Sequence, residues 1–111
     1  MKYSLTIGRF QPLHAGHIKL IRTVLDEGKK VCVALRNTDT SPEDPYTASE
    51  RLAMFLKEFT SEMNKGDLRV IVIPDIEEVF YGRKVGWGVR EIKLDEETEQ
   101  ISATKIRQEL K

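Results

Sequence analysis

The sequence contains a single cysteine, no excess of either charge and no long apolar run. Cys32 has no second cysteine to pair with, and its place in an apolar segment predicts a buried thiol in a reducing compartment. The 18 basic and 18 acidic side chains cancel, so no overall field attracts the protein to nucleic acid or to a membrane surface. No apolar run approaches the ~20 residues of a membrane helix, and no apolar leader opens the sequence. We therefore expect a cytoplasmic protein that binds neither nucleic acid nor membrane.

The length of 111 residues suffices for one compact domain but not for two, because domains usually contain about 100–150 residues. Internal repeats and low-complexity tracts are absent from the sequence. We predict a single domain spanning residues 1–111.

The hydrophobic pattern alternates between strand and helix periods, which predicts an α/β fold. Residues 2–7 alternate like a strand, and apolar residues at helical spacing predict a helix from about Gly16 to Asp26. The continuous apolar runs 31–35 and 68–74 are typical of inner parallel strands that are buried on both faces. A strand, a helix and a strand within about 35 residues form a right-handed βαβ unit. The expected fold is a Rossmann-like open parallel sheet with flanking helices in a single small domain.

The second helix has a clear start signal. Thr47 and Glu50 form a capping box, and the helix is expected to end within residues 64–67. Its predicted buried stripe consists of Leu52, Phe55, Leu56, Phe59 and Met63. Farther along the chain, residues 79–81 and 89–94 are predicted as short strands around the glycine-rich loop 82–88.

The segment from Gly8 to His17 links the first strand to the first helix, and crossovers of this kind bind phosphates. Gly8 allows a tight turn or the close approach of a ligand, and the helix start offers unpaired N–H groups at the positive end of the helix dipole. His14 and His17 are three residues apart, so a helical turn around Gly16 lets both rings point at one ligand. We predict these two histidines as the catalytic residues.

Two motifs together resemble a known superfamily. The pattern His14-x-Gly16-His17 after a first strand, with the segment 101–107 (ISATKIR) near the C-terminus, resembles the nucleotidyltransferases that carry HxGH and ISxTxxR signatures. The stretch GRFQPLHAGH is similar to archaeal-type nicotinamide mononucleotide adenylyltransferases. HAGHIKL and the tail ISATKIRQELK are similar to glycerol-3-phosphate cytidylyltransferases. The resemblance therefore supports the superfamily more strongly than either subfamily.

The resemblance implies transfer of a nucleotidyl group from a nucleoside triphosphate to a phosphorylated small molecule, with release of pyrophosphate. It implies that the nucleotide and its phosphates are bound by Gly8, Arg9, Phe10, Arg36, Arg51, Ser102, Thr104 and Arg107. Mg²⁺ is implied as a cofactor held mainly through the triphosphate. The protein itself is expected to hold no metal, since two histidines without further ligands do not complete a zinc site.

Some of these residues also have simpler explanations. Arg36 could be a solvated loop arginine, and Arg51 could form an ordinary salt bridge with a neighbouring acid. Arg51 lies in the first turn of the second helix, where a cation opposes the helix dipole unless an anion is near. Ser102 and Thr104 could simply cap the last helix, which is predicted over residues 103–110.

The acceptor is the least defined part of the prediction. Arg83 and Lys84 are candidates for an acceptor phosphate and Trp87 for stacking on a ring, although the loop could be a simple turn with an indole cover. Only 26 residues, 75–100, separate the third strand from Ile101, where relatives usually place a further strand and helix. Cytidylyltransferases of this type tend to carry an arginine just before ISxT, whereas this chain has acidic residues there, which favours ATP over CTP.

Two alternatives remain open from the sequence. One is a cytidylyltransferase that uses CTP and a polyol phosphate such as glycerol 3-phosphate, and the other is a nucleotide-binding regulatory module with little turnover. Related enzymes are often dimers or larger, so a homo-oligomer is a further alternative to a monomer.

Overall fold

The structure is a computed structural model that describes residues 2–83 and 86–94. Three strands and three helices alternate along the chain: β1 (Tyr3–Gly8), α1 (Ala15–Asp26), β2 (Lys30–Asn37), α2 (Ala48–Glu58), α3 (Thr60–Lys65) and β3 (Leu68–Pro74). The strands form one parallel sheet in the order β1-β2-β3. The fold is therefore a Rossmann-like α/β domain, as the sequence predicts.

All three helices pack on one face of the sheet. The chain passes from β1 to β2 and then to β3 in the same direction across the sheet, so two right-handed crossovers place their helices on the same side. Arg22 of α1 pairs with Glu62 of α3 at 2.9 Å and lies over the ring of Phe59 between the two later helices. The core lies between the sheet and these helices, and it consists of Phe10, Ile21, Val24, Val31, Val33, Leu35, Phe55, Phe59 and Leu68.

The opposite face of the sheet carries no helix in the described part of the chain. Ile7, Ala34 and Ile71 are partners across the three strands, and Leu5 pairs with Cys32 on the same face. Leu5 is 59% exposed and Ile71 is 46% exposed. Cys32 is only partly buried for the same reason, so the prediction of a fully buried thiol is wrong.

Most element boundaries were predicted within one or two residues, and the capping box of Thr47 and Glu50 is present. The second helix is interrupted at Phe59, whose backbone (φ −119°, ψ 31°) leaves the helical region before α3 begins. Leu56 is 48% exposed, so it is not part of the buried stripe. β3 forms an edge of the described sheet rather than an inner strand, which explains why Ile71 and Val72 are both exposed.

The segment after β3 differs most from the prediction. Residues 79–81 and 89–94 form no strand. Val79, Phe80 and Tyr81 are each more than two-thirds exposed, so they have no packed layer beside which a strand could be stabilised. Of the described residues in this segment, Ile92 alone packs against the core, and Arg90 forms an ion pair with Glu27 at the end of α1.

Among the described residues, no helix combines the length and apolar character needed to cross a membrane.

Candidate active site

The candidate site lies at the carboxyl edge of the sheet, where the strands end in polar loops. β1 leads into the turn 9–14, which carries the arginine, glutamine and histidine of the motif. β2 leads into the loop 38–47, and β3 ends at Pro74 before Asp75. Because parallel strands end at a common edge, this topology brings the three segments together at the place where open α/β sheets bind ligands.

His14 is the N-cap of α1. Its Nδ1 atom accepts hydrogen bonds from the backbone N–H groups of Gly16 (3.0 Å) and His17 (3.4 Å). In return, the backbone N–H of His14 donates to Nδ1 of His17 at 3.3 Å. The two imidazoles therefore form a reciprocal capping box, and their rings stack with centroids 3.7 Å apart. These helix amides were predicted to be unpaired, but the side chain of His14 occupies two of them.

This arrangement fixes the proton positions of both rings. A nitrogen that accepts a hydrogen bond carries no proton, so each neutral ring must carry its proton on Nε2. Burial, with a smaller contribution from the nearby charge of His14, lowers the pKa of His17 to about 4. Burial also lowers the pKa of His14. At neutral pH the site therefore presents two adjacent, neutral Nε2–H donors, which suit the oxygens of a phosphate group.

Phe10 holds the turn in an unusual backbone conformation. Its φ of 53° lies in the left-handed region, which non-glycine residues seldom adopt outside functional or tightly constrained sites. The ring is 4% exposed and makes edge-on contacts with His17 (4.7 Å between centroids) and Phe55 (5.0 Å). A Cβ atom on Gly8 would lie 2.9 Å from the tip of this ring. Gly8 is therefore required to accommodate Phe10, and Phe10 connects the hydrophobic core to the histidine pair.

Gln11 was not predicted as a functional residue, yet it is only 1% exposed. Its side-chain oxygen accepts from the backbone N–H of Tyr46, and its nitrogen donates to the Tyr46 carbonyl, both at 2.9 Å. The same nitrogen donates to the hydroxyl of Thr38 at 3.3 Å. The side-chain amide thus connects the histidine turn to the loop after β2. Its position between the apolar residues Phe10 and Pro12 was the one feature of the sequence that could have indicated a buried polar role.

Arg51 is completely buried, although it lies in the first turn of α2. Its Nη1 atom donates to the carbonyls of Arg9 (2.8 Å) and Arg36 (2.6 Å), and Nε donates to the carbonyl of Thr47 at 3.2 Å. Its Nη2 atom is buried and has no hydrogen-bond partner among the described residues. Burial lowers the pKa of Arg51, partly offset by the charge of Asp44. The guanidinium group therefore donates to backbone oxygens at the site and is not exposed to solvent.

The other two predicted arginines each pair with a carboxylate from a neighbouring loop. Arg9 lies 3.1 Å from Asp44, and Arg36 lies 2.6 Å from Asp75. Both arginines are partly exposed, with side-chain exposures of 44% and 28%. The two aspartates were not predicted as site residues, although their positions directly after β3 and in the loop before α2 could have indicated them. These pairs place two exposed cations at the edge that carries the histidines.

Two of the three predicted acceptor residues, Arg83 and Trp87, lie in the described part of the chain. Arg83 and Trp87 are exposed, Trp87 to 80%, so the indole is not a packed cover. Lys84, Ser102, Thr104 and Arg107 lie outside the described residues, as does the predicted last helix. Their assignments stay predictions.

The described residues contain no group of three or more His, Cys, Asp or Glu side chains that could hold a metal ion. The carboxylates nearest the candidate site, Asp44 and Asp75, are each engaged by an arginine. This donor set fits a magnesium ion that is carried by the phosphates of a nucleotide better than one held by the protein, because Mg²⁺ takes few protein ligands and keeps several waters.

Comparison with known proteins places this geometry in a family. A family model described as cytidylyltransferase-like matches residues 5–63, which include residues 5–8 of β1, the histidine pair and α2. The chain is 42% identical over 76 residues to a nicotinamide-nucleotide adenylyltransferase of Pyrobaculum neutrophilum, an alignment that covers 67% of this chain and 42% of that protein.

Two further relatives have related names. Nicotinamide-nucleotide adenylyltransferase 1 of Sulfolobus acidocaldarius is 39% identical over 75 residues, covering 66% of this chain and 42% of the relative. The enzyme of that name from Pyrococcus furiosus is 34% identical over 80 residues, covering 68% and 43%. The chain thus spans about two-fifths of the length of the curated relatives that it matches.

Proposed function

Because the chain belongs to the cytidylyltransferase-like family, we propose that it transfers a nucleotidyl group from a nucleoside triphosphate to a phosphorylated small molecule, most simply AMP from ATP to nicotinamide mononucleotide. The observation that carries this proposal is the stacked histidine pair, in which both Nδ1 atoms are engaged by backbone N–H groups. The names of the relatives support ATP and a mononucleotide acceptor. The same proposal places the protein in the cytoplasm.

The reaction requires positioning and charge stabilisation rather than a covalent intermediate. An oxygen of the acceptor phosphate attacks the α-phosphorus of the triphosphate. The bond from that phosphorus to the oxygen that bridges the α and β phosphorus atoms breaks on the opposite side, and this oxygen leaves with the pyrophosphate. Negative charge moves toward the departing pyrophosphate. The Nε2–H groups of His14 and His17 would donate to phosphate oxygens as that charge develops, and a fixed donor in such a place typically contributes about 10²–10³ in rate.

The remaining assignments extend the phosphate site. Arg9 and Arg36 would exchange their aspartate partners for phosphate oxygens, and Ser102, Thr104 and Arg107 would hold the β and γ phosphates. Magnesium would neutralise part of the triphosphate charge when bound. Arg83, Lys84 and Trp87 would bind the acceptor, its phosphate through the cations and its ring through the indole.

The test is pyrophosphate release in a panel of ATP and CTP against nicotinamide mononucleotide and glycerol 3-phosphate, with magnesium present. We expect the highest rate for ATP with the mononucleotide. His17→Asn and His14→Asn should each lower the rate by about 10²–10³. Thr23→Ala, an exposed change on the same helix, serves as the control and should leave the rate unchanged.

Other outcomes would redirect or reject the proposal. A clear preference for CTP with glycerol 3-phosphate would assign the chain to the cytidylyl branch. Nucleotide binding without pyrophosphate release from any pair would indicate a regulatory module. Near-normal turnover in both histidine variants would reject the catalytic assignment.

The acceptor assignment has its own matched control. Trp87→Ala should weaken acceptor binding by about 1–3 kcal/mol if the indole stacks on the ring. Phe80 is an equally exposed aromatic residue of the same segment, so Phe80→Ala should leave the acceptor KM unchanged. Equal effects of the two variants, measured by acceptor titration at saturating ATP, would reject the stacking role.

A further inference from the structure

We propose that Arg51 is a positioning residue that holds the histidine turn against the end of β2, and that Gln11 forms the second half of the same brace. The catalytic part of this inference rests on the proposed function. Its structural part does not, because it concerns contacts that are present without substrate.

The first half of the brace is the guanidinium group of Arg51. One nitrogen, Nη1, donates to the carbonyl of Arg9, which begins the histidine turn, and to the carbonyl of Arg36, the second-last residue of β2. Nε donates to Thr47, the N-cap of α2. A single planar group therefore connects β1, β2 and α2 at the edge of the sheet. The side chain is 0% exposed, so its contacts in this arrangement are with backbone oxygens and not with solvent.

The second half is the side-chain amide of Gln11. It donates to the carbonyl of Tyr46 and accepts from the N–H of Tyr46, just before α2 begins. These two hydrogen bonds resemble the pair that two facing residues exchange in a β-sheet. Together the two residues connect the turn 9–14 to both ends of the loop 38–47. The loop has no strand or helix of its own, so these contacts and the Arg9–Asp44 ion pair hold it against the histidine turn.

The brace reaches the histidines through one residue. Arg9, whose carbonyl Arg51 holds, precedes Phe10, and the Phe10 ring contacts His17. Because the Phe10 backbone is in the left-handed region, the turn depends on outside contacts to keep its conformation. Loss of the Arg51 contacts should therefore move the ring and change the surroundings of His17. A displacement of about 1 Å at a catalytic group can reduce the rate by about 100-fold.

The chemistry of the side chain separates this role from phosphate binding. Lysine keeps the positive charge but offers one flexible ammonium group, which cannot reproduce the planar fork of donors. If Arg51 acts by charge, Arg51→Lys should be the mild variant and Arg51→Met the severe one. If it acts by geometry, both variants should lose the same contacts.

The first experiment uses the full-length protein without nucleotide. The chain has only two histidines, so their ring signals can be followed individually by NMR during a pH titration. We expect Arg51→Lys to shift the His17 signals and to raise its titration midpoint toward the ordinary value. Arg22→Lys is the control, because Arg22 contacts acidic groups and a carbonyl of the helical layer and lies away from the histidine turn. Unchanged histidine signals in Arg51→Lys would overturn the proposal.

The second experiment measures steady-state rates with ATP and nicotinamide mononucleotide, well below the melting temperature of each variant. We expect kcat to fall about 100-fold in both Arg51→Lys and Arg51→Met, while the KM for ATP stays within about 3-fold. A raised KM with unchanged kcat in Arg51→Lys would identify a phosphate-binding charge and overturn the positioning role. Lower stability with unchanged kcat and unchanged histidine signals would identify a merely structural residue and also overturn it.

A further variant keeps the test decisive if Arg51→Met does not fold. Gln11→Met removes the other half of the brace without removing a charge, and it should shift the His17 signals in the same direction. If the wild-type protein shows no turnover with any substrate pair, the proposed function fails, but the titration in the absence of nucleotide still decides the role of Arg51.

Discussion

His14 replaces the aspartate or serine that usually caps a helix, and this choice gives one residue two duties. Its Nδ1 atom caps α1, and under the proposed function its Nε2–H would donate to a phosphate oxygen. The three-residue spacing of the histidines is also the spacing of a capping box, so the pattern contained this information. The spacing led to the prediction of a common ligand but not of the reciprocal cap, because imidazole is an uncommon capping group.

The lowered pKa of His17 leads to a prediction about stability. The folded value is about 4 and the unfolded value about 6.5, so between these pH values the unfolded chain binds more protons. Stability should therefore be lost as the pH falls from 6.5 to 4 and should be fully present above that range. Thermal melting should show a steeper fall over this range for the wild type than for His17→Asn. The same dependence of melting temperature on pH in the two proteins would contradict the lowered pKa of His17.

The contact between Gly8 and Phe10 leads to a second prediction. In Gly8→Ala the new methyl group would lie 2.9 Å from a ring that is held by His17 and Phe55, so the ring cannot move away freely. We expect a loss of about 1–3 kcal/mol in the free energy of unfolding. Gly82→Ala is the control, because nothing lies within 4 Å of its added Cβ. Urea denaturation measures both, and an equal loss in the two variants would reject the steric explanation.

The bounds of helices and strands were predictable where they depend on residues close in the sequence. The bounds of β3 and the start of α2 follow from an apolar run and a capping box. The two strands expected after β3 depended instead on a neighbouring strand or layer, which residues 79–81 do not have here. Likewise, nothing in helical periodicity showed that Leu56 would lie outside the reach of the sheet.

The capping box of α2 should make a measurable contribution to stability. Thr47 accepts from the Glu50 N–H at 3.1 Å, and Glu50 accepts from the Thr47 N–H at the same distance. Thr47→Ala should lower the free energy of unfolding by about 1 kcal/mol. Thr23→Ala removes an exposed hydroxyl that contacts a carbonyl within α1, and it should change stability by less than about 0.5 kcal/mol. Similar losses in the two variants, compared by urea denaturation, would show that the cap contributes little.

For the whole molecule, the main consequence of the strand order is a core on one side of the sheet. The inner face of β2 is fully buried, with Leu35 at 0% exposure, whereas Leu5 on the other face is 59% exposed. The apolar runs of β2 and β3 predicted burial on both faces because composition alone does not reveal which layers are present.

Because the core lies on one side of the sheet, the stability lost on truncating a leucine should depend on which face carries it. Leu35→Ala should lower the free energy of unfolding by about 2–5 kcal/mol, because it opens a cavity among Val33, Phe55 and their neighbours. Leu5→Ala, the same substitution on the open face, should reduce stability by less than about 1 kcal/mol, since little apolar area leaves water there on folding. Comparable losses in chemical denaturation would mean that the open face is covered in solution.

Under the proposed function, the two arginine–aspartate pairs at the carboxyl edge would make the binding of a polyphosphate an exchange of ion pairs. Arg9 and Arg36 already hold the carboxylates of Asp44 and Asp75, so a polyphosphate must compete with internal anions before it gains either cation. The free energy of binding is then a difference between two sets of ion pairs rather than the sum of new ones. Such a site discriminates by the number and geometry of the anionic oxygens that a ligand offers, and a ligand with a single carboxylate gains almost nothing over the aspartates that it would displace.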